Sequence, residues 1–80
     1  MFGFVIFFVT YRQNAMPIAT KIRVQRMIKG YSQEYMAFRL NISQNAYSKL
    51  ERGETELTVR RFYEIAEILE ISIDSLLPEN

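Results

Sequence analysis

SQEYMAFRLNISQNAYSKLERG, residues 32–53, is the stretch on which the reading of this chain turns. It has the form of two short helices around a tight turn. Ser32 opens the first, because a Ser hydroxyl at an N-cap accepts from an early helical N–H that has no partner within the helix. Met36, Ala37 and Leu40 give that helix a short apolar stripe. The turn falls at Leu40-Asn41-Ile42, where Asn tolerates the left-handed backbone such a turn needs. Ser43 opens the second helix, and Gly53 stands just past its end, the natural place for a left-handed residue.

The second helix has an uneven surface. Ala46, Tyr47 and Leu50 can face inward, Tyr47 as a core residue with its hydroxyl at the edge. Gln44, Asn45, Ser48, Lys49 and Arg52 cannot all be buried. A plain solvated face usually alternates Glu with Lys; this one is long, amide-bearing and mostly uncharged. Gln and Asn can bond an adenine edge bidentately, and Lys or Arg can bond guanine. Gln44, Asn45, Ser48 and Lys49 are therefore the candidates for base edges, against the bland alternative of a solvated face.

Here the sequence resembles a known family. Residues 20–77 are similar to the helix-turn-helix domain of the XRE family, the group that contains the lambdoid phage repressors and Cro. The family pattern is an Arg in helix 1, then S-Q-x-x-(hydrophobic)-A, a turn, S-x-x-x-(hydrophobic)-S-x-(hydrophobic)-E-x-G, and a fourth helix carrying I-A-x-x-L. This chain supplies Arg26; Ser32, Gln33, Met36 and Ala37; Ser43, Tyr47, Ser48, Leu50, Glu51 and Gly53; then Ile65, Ala66 and Leu69. The combined motif is far more specific than a lone helix-turn-helix pattern.

The resemblance implies an all-α, five-helix, lambda-repressor-like DNA-binding domain over residues 18–80; the apolar arm at 1–17 is an extra segment that the family domain does not normally need. It implies a partly buried structural ion pair of Arg26 with Glu51, where two solvated charges would contribute little. It also implies a mechanism. The recognition helix, residues 43–52, enters the major groove of double-stranded DNA while the preceding helix lies across the backbone. Gln33, Ser43 and Arg52 would hold phosphates, Gln33 aided by its helix N-terminus.

Composition bounds the alternatives. Eighty residues with 49% apolar side chains make one folded domain. A core of that size is marginal unless the chain is helical and well packed, or oligomeric. There is no Cys and no His, which removes zinc sites, disulfides and Cys or His catalysis. No acid–base pair has helical spacing in an apolar setting, and no Gly-rich phosphate loop exists. No enzyme, cofactor or small-molecule ligand is expected, and the chain fits a reducing cytoplasm. The net charge is only +1, but it is polarised. From Ile18 to Gly53 seven Lys and Arg oppose Glu34 and Glu51; from Glu54 onward only Arg60 and Arg61 oppose seven acidic residues. One half could meet phosphate and the other would be repelled by it.

The arm is MFGFVIFFVTYRQNAMP, with an aromatic and β-branched run from Phe2 to Val9. It is too short to span a bilayer as a helix, which takes about 20 residues, and it lacks the basic start and cleavage site of a signal peptide. Its composition favours a strand. Three readings stand side by side: the run pairs with its copy in a second subunit, it packs on its own domain, or it is an upstream extension and Met16 is the natural start. Pro17 suits the opening of a helix over Ile18 to Lys29, closed by Gly30. On that helix Ile18 and Ile22 suit the core. Val24, Met27 and Ile28, and then Tyr31, lie nearly opposite, a face on which the arm could settle. Deleting residues 1–15 with no change in stability or oligomeric state would rule that out.

Thr58 is the expected N-cap of the fourth helix, whose apolar face is Val59, Phe62, Ile65, Ala66 and Leu69, with Glu64, Glu67 and Glu70 on the solvated side. Ser72 is expected to cap a fifth, short helix, IDSLL, packing Ile73, Leu76 and Leu77 on the core or into a dimer contact. Arg23, Lys29 and Arg39 offer diffuse attraction for DNA or simple solubility. One module touches few base pairs, so a homodimer on a pseudo-palindrome is expected, with half-sites about 34 Å apart. The rival reading is a protein-interaction module, such as an antitoxin that binds a toxin partner.

Overall fold

A computed structural model describes residues 17–77. Four helices follow one another: α1 (Ile18–Lys29), α2 (Gln33–Leu40), α3 (Gln44–Glu51) and α4 (Val59–Leu69), and then a single 3-10 turn at Ile73–Ser75. No strand occurs among the described residues, and none of their helices is long and apolar enough to cross a membrane. The run Phe2–Val9, expected as a strand, lies outside the described residues.

The helix ends are set by the side chains that the sequence places there. Ser32 Oγ accepts from Tyr35 N at 2.9 Å, Ser43 Oγ from Ala46 N at 3.0 Å, and Thr58 Oγ1 from Arg61 N at 3.1 Å. Each satisfies an otherwise unpartnered donor of its first turn. Pro17 takes the N-cap place of α1, and its carbonyl accepts from Lys21 N at 3.0 Å. At the other ends, Gly30 (φ 78°) and Asn41 (φ 60°) turn left-handed, and their N–H groups return to the last carbonyls of α1 and α2.

The core draws on every element. Ile22 from α1, Met36 from α2, Tyr47 from α3, Ile65 and Leu69 from α4, and Leu76 after the 3-10 turn are its largest fully buried side chains. Burial of each such side chain contributes about 1.5–3 kcal/mol before conformational entropy is counted. Two long-range ties from side chain to backbone help close the assembly. Lys21 Nζ donates to Leu77 O at 2.7 Å, and Arg61 Nη1 donates to Leu40 O at 3.2 Å.

Several expectations need correction. The fifth helix is only the 3-10 turn, with i→i+3 bonds from Ser75 N, Leu76 N and Leu77 N. Five residues separate Ser72 from Pro78, and the residue before a proline is disfavoured in α conformation. Ser72 Oγ meets Ser75 Oγ at 3.2 Å instead of capping a backbone N–H. Leu76 is fully buried, but Leu77 is 40% exposed. Val59 does not face the core and is 72% exposed. The buried stripe of α4 runs through Ile65, Ala66, Ile68 and Leu69, centred about a quarter turn from Val59 at 100° per residue. Tyr31 leaves the outer face of α1: its ring lies 4.6 Å from that of Tyr35, against the core.

Candidate nucleic-acid interface

α2, the turn at Asn41 and α3 form a helix-turn-helix unit, and its rigidity rests on one carboxylate. Glu51, on the inner side of α3, is 6% exposed. Arg26 of α1 grips it from both nitrogens, Nε to Oε2 at 2.6 Å and Nη2 to Oε1 at 3.1 Å. Tyr47 OH donates to Oε2 at 2.5 Å from one turn earlier in α3, and Gln33 Nε2 donates to Oε1 at 3.1 Å from the first turn of α2. Three helices therefore meet on one anion. The third arm of the guanidinium, Arg26 Nη1, donates to Tyr31 O at 2.9 Å and holds the loop between α1 and α2. No side-chain polar atom buried among the described residues lacks a partner, as a low-dielectric cluster requires.

The charges of this cluster follow from the geometry. Burial by itself pushes the Glu51 carboxyl up, but the hydrogen bonds from Arg26, Tyr47 and Gln33 outweigh it and the net shift is downward. The bond to Glu51 raises the Arg26 guanidinium above its usual value. Burial, and then the bond to the Glu51 carboxylate, pushes the Tyr47 phenol well up, so it stays a donor at any working pH.

With Tyr47, Leu50 and Glu51 turned inward, α3 presents Gln44, Asn45 and Lys49 as exposed residues. Ser48 is half-buried, and its Oγ accepts from Arg52 Nη1. Arg52 also meets Glu54, Nε to Oε2 at 3.0 Å and Nη2 to Oε1 at 3.2 Å. That contact raises the Arg52 pKa and lowers that of Glu54. Ser43 spends its acceptor on capping α3 but keeps a hydroxyl hydrogen to donate. Gln33, named in the sequence for phosphate, turns its amide nitrogen to Glu51. Among the diffuse cations, Arg23 is exposed, Lys29 meets Glu70 at 3.5 Å, and Arg39 lies over the Tyr35 ring at 5.6 Å, while Lys21 of the same basic half is buried against the Leu77 carbonyl.

Sequence reasoning missed a groove of about 430 Å³ beside α3, whose walls include Asn45, Lys49, Thr55, Thr58 and Arg61. It runs along the candidate reading surface toward the N-terminus of α4. Arg61 stands out there because it bonds both Leu40 O at 3.2 Å and Glu64 Oε1 at 3.0 Å. A signal was present: Arg61, Ile65 and Ile68 follow i, i+4, i+7 spacing, which puts Arg61 on the buried side while Arg60 stays outside. The described residues hold no cluster of acidic side chains fit for a metal ion.

Comparison with known proteins points to the same helix-turn-helix family. The helix-turn-helix family model matches residues 22–76. The chain is 38% identical over 58 residues to YazB of Bacillus subtilis (strain 168), described as an uncharacterized HTH-type transcriptional regulator; the match covers 72% of this chain and 84% of YazB. It is 37% identical over 57 residues to YonR of the same organism, described as an SPbeta prophage-derived uncharacterized HTH-type transcriptional regulator; that match covers 71% of this chain and 53% of YonR. No solved structure matches significantly. The matched span takes in α2, the turn, α3 and the Arg26–Glu51 tie, and the chain belongs to the XRE family of helix-turn-helix proteins.

Proposed function

We propose that this protein is a transcriptional regulator, repressor-like, that binds double-stranded DNA in a sequence-specific way as a homodimer, with α3 in the major groove. The observation that carries the reading is the division of α3. Tyr47, Leu50 and Glu51 lock the helix into the domain, while Gln44, Asn45 and Lys49 stand exposed on its outer side. A helix fixed so firmly can present amides and an ammonium in a constant register to base edges. In this reading Ser48 joins them after parting from Arg52, and Ser43, Gln33 and Arg52 serve as phosphate ligands, Gln33 after releasing Glu51. The description of YazB and YonR as HTH-type transcriptional regulators agrees with this reading.

The test is selection of duplex DNA from a random pool by the purified 80-residue protein, followed by binding across a salt series. Selected sites with two related halves about 34 Å apart are expected, with affinity falling steeply as salt rises. Gln44→Ala/Lys49→Ala is expected to lose the preference for those sites while retaining weak, salt-sensitive binding. Absence of any binding at low salt would overturn the proposal and leave a protein partner as the ligand.

A further inference from the structure

The outward face of α1 carries an apolar patch, half-buried Val24 with exposed Met27 and Ile28, beside the exposed Arg23. Val24, Met27 and Ile28 stand at i, i+3 and i+4, so they meet on one side of the helix. Met27 is 63% exposed and Ile28 is 69% exposed. The opposite side holds the core residue Ile22 and the tie to α3. Arg26, which makes that tie, points about 160° away from Val24 around the axis. This face therefore belongs neither to the core of the described residues nor to the surface that carries Gln44 and Lys49.

We propose that the outward face of α1 is the docking site of the chain's own residues 2–9, FGFVIFFV. The chain that precedes the described residues joins them at Pro17, the N-cap of α1, so residues 10–16 are the whole connection between run and helix. Ile28 lies about 16 Å beyond Pro17 along the axis, at 1.5 Å per residue. The connecting residues span up to about 23 Å when extended, so the run reaches Met27 and Ile28 of its own helix. A tether this short gives an effective concentration in the mM range, far above that of a second chain in dilute solution. The chemistry also fits. Residues 2–9 carry no charged or polar side chain, so they cover Val24, Met27 and Ile28 without burying an unpaired group. Both surfaces are apolar and both cost free energy in water, and their contact removes the two costs together.

The chain has no cysteine, so an introduced pair reports on this contact alone. Two full-length variants, Phe4→Cys/Ile28→Cys and Phe7→Cys/Ile28→Cys, are oxidised mildly at low protein concentration. At least one is expected to close an intramolecular disulfide, seen as a fast-migrating monomer on a non-reducing gel, while Phe7→Cys/Glu67→Cys, with Glu67 exposed on α4, does not. A cross-linked dimer as the only product would overturn the proposal by making a second copy the occupant; free thiols in both variants would overturn it by leaving the face bare. Limited chymotrypsin digestion supplies an independent measure. Met27→Glu/Ile28→Glu is expected to speed cleavage at the phenylalanines of the run roughly tenfold, because cleavage follows the population of the undocked state, with helical content unchanged by circular dichroism. Equal cleavage rates in that variant and the parent also overturn the proposal.

Discussion

At the scale of the residue, Glu51 holds the helix-turn-helix together because its carboxylate is shared by Arg26, Tyr47 and Gln33. Removing one member of a buried pair costs more than replacing both, since the survivor is left charged and uncompensated. Arg26→Met is expected to cost about 3 kcal/mol in urea unfolding. The figure sits at the low end because Tyr47 and Gln33 still serve the carboxylate. Arg26→Met/Glu51→Met is expected to cost clearly less than the sum of the two single variants, and strict additivity would count against the shared-anion account. The same group sets an acid limit. Its folded pKa lies below its ordinary value of 4.5, so in that range the unfolded chain binds the proton more tightly. The stabilisation is fully present above the unfolded value and is lost as pH falls toward the folded one. Thermal stability measured from pH 6 to pH 3 is therefore expected to drop below about pH 4.5, and Glu51→Gln to flatten that limb from a lower plateau. The Arg26–Glu51 pair was legible in the sequence through the family motif. The convergence of Gln33 was not, because residues from separate helices meet only after the helices have packed.

At the scale of the element, the sequence carried most of the information where a single backbone position decides the outcome. Ser32, Ser43 and Thr58 cap as their types require, and Asn41 takes φ 60° between α2 and α3. It carried less where packing decides. Val59 fits an apolar face by spacing, yet Ile65, Ile68 and Leu69 draw the buried stripe of α4 past it. Arg61 joins that stripe through its hydrogen bonds, which an apolar count does not register. The fifth helix failed for want of length: five residues before a proline close one 3-10 turn and no more. The turn itself gives a clean test. A β-branched residue in the left-handed region costs about 1–2 kcal/mol, whereas Gly enters it freely. Asn41→Ile is thus expected to destabilise by that amount in urea unfolding and Asn41→Gly to change stability little. Equal losses would mean that the Asn41 side chain, and not its backbone, holds the turn.

At the scale of the whole molecule, charge is polarised along the chain, and that polarity bears on the proposed contact with DNA. Gly53 turns left-handed at φ 72° just past α3. The acidic half of the chain begins immediately after it at Glu54, beside Arg52 and the end of the candidate reading helix. The charges within that half are partly matched, since Glu64 meets Arg61 at 3.0 Å and Glu70 meets Lys29 at 3.5 Å. The basic half loses Lys21 to burial, so fewer cations face a phosphate backbone than the sequence count suggests. Among the cations near α3, Arg52 is held by Glu54 and Ser48, whereas Lys49 stands exposed on the helix. Engagement of a phosphate by Arg52 requires it to exchange Glu54 for the new anion, and Glu54 then lies close to a like charge. Glu54→Gln is therefore expected to tighten binding to every duplex alike, because it removes both the competing acceptor and the repulsion. Arg52→Gln is expected to weaken binding uniformly across sequences and to reduce the slope of log affinity against log salt by about 1. Titrations of the selected duplex and of an unrelated one, each over a range of salt, separate these effects. If Glu54→Gln instead sharpened the preference between the two duplexes, Arg52 would be reading bases and not holding the backbone.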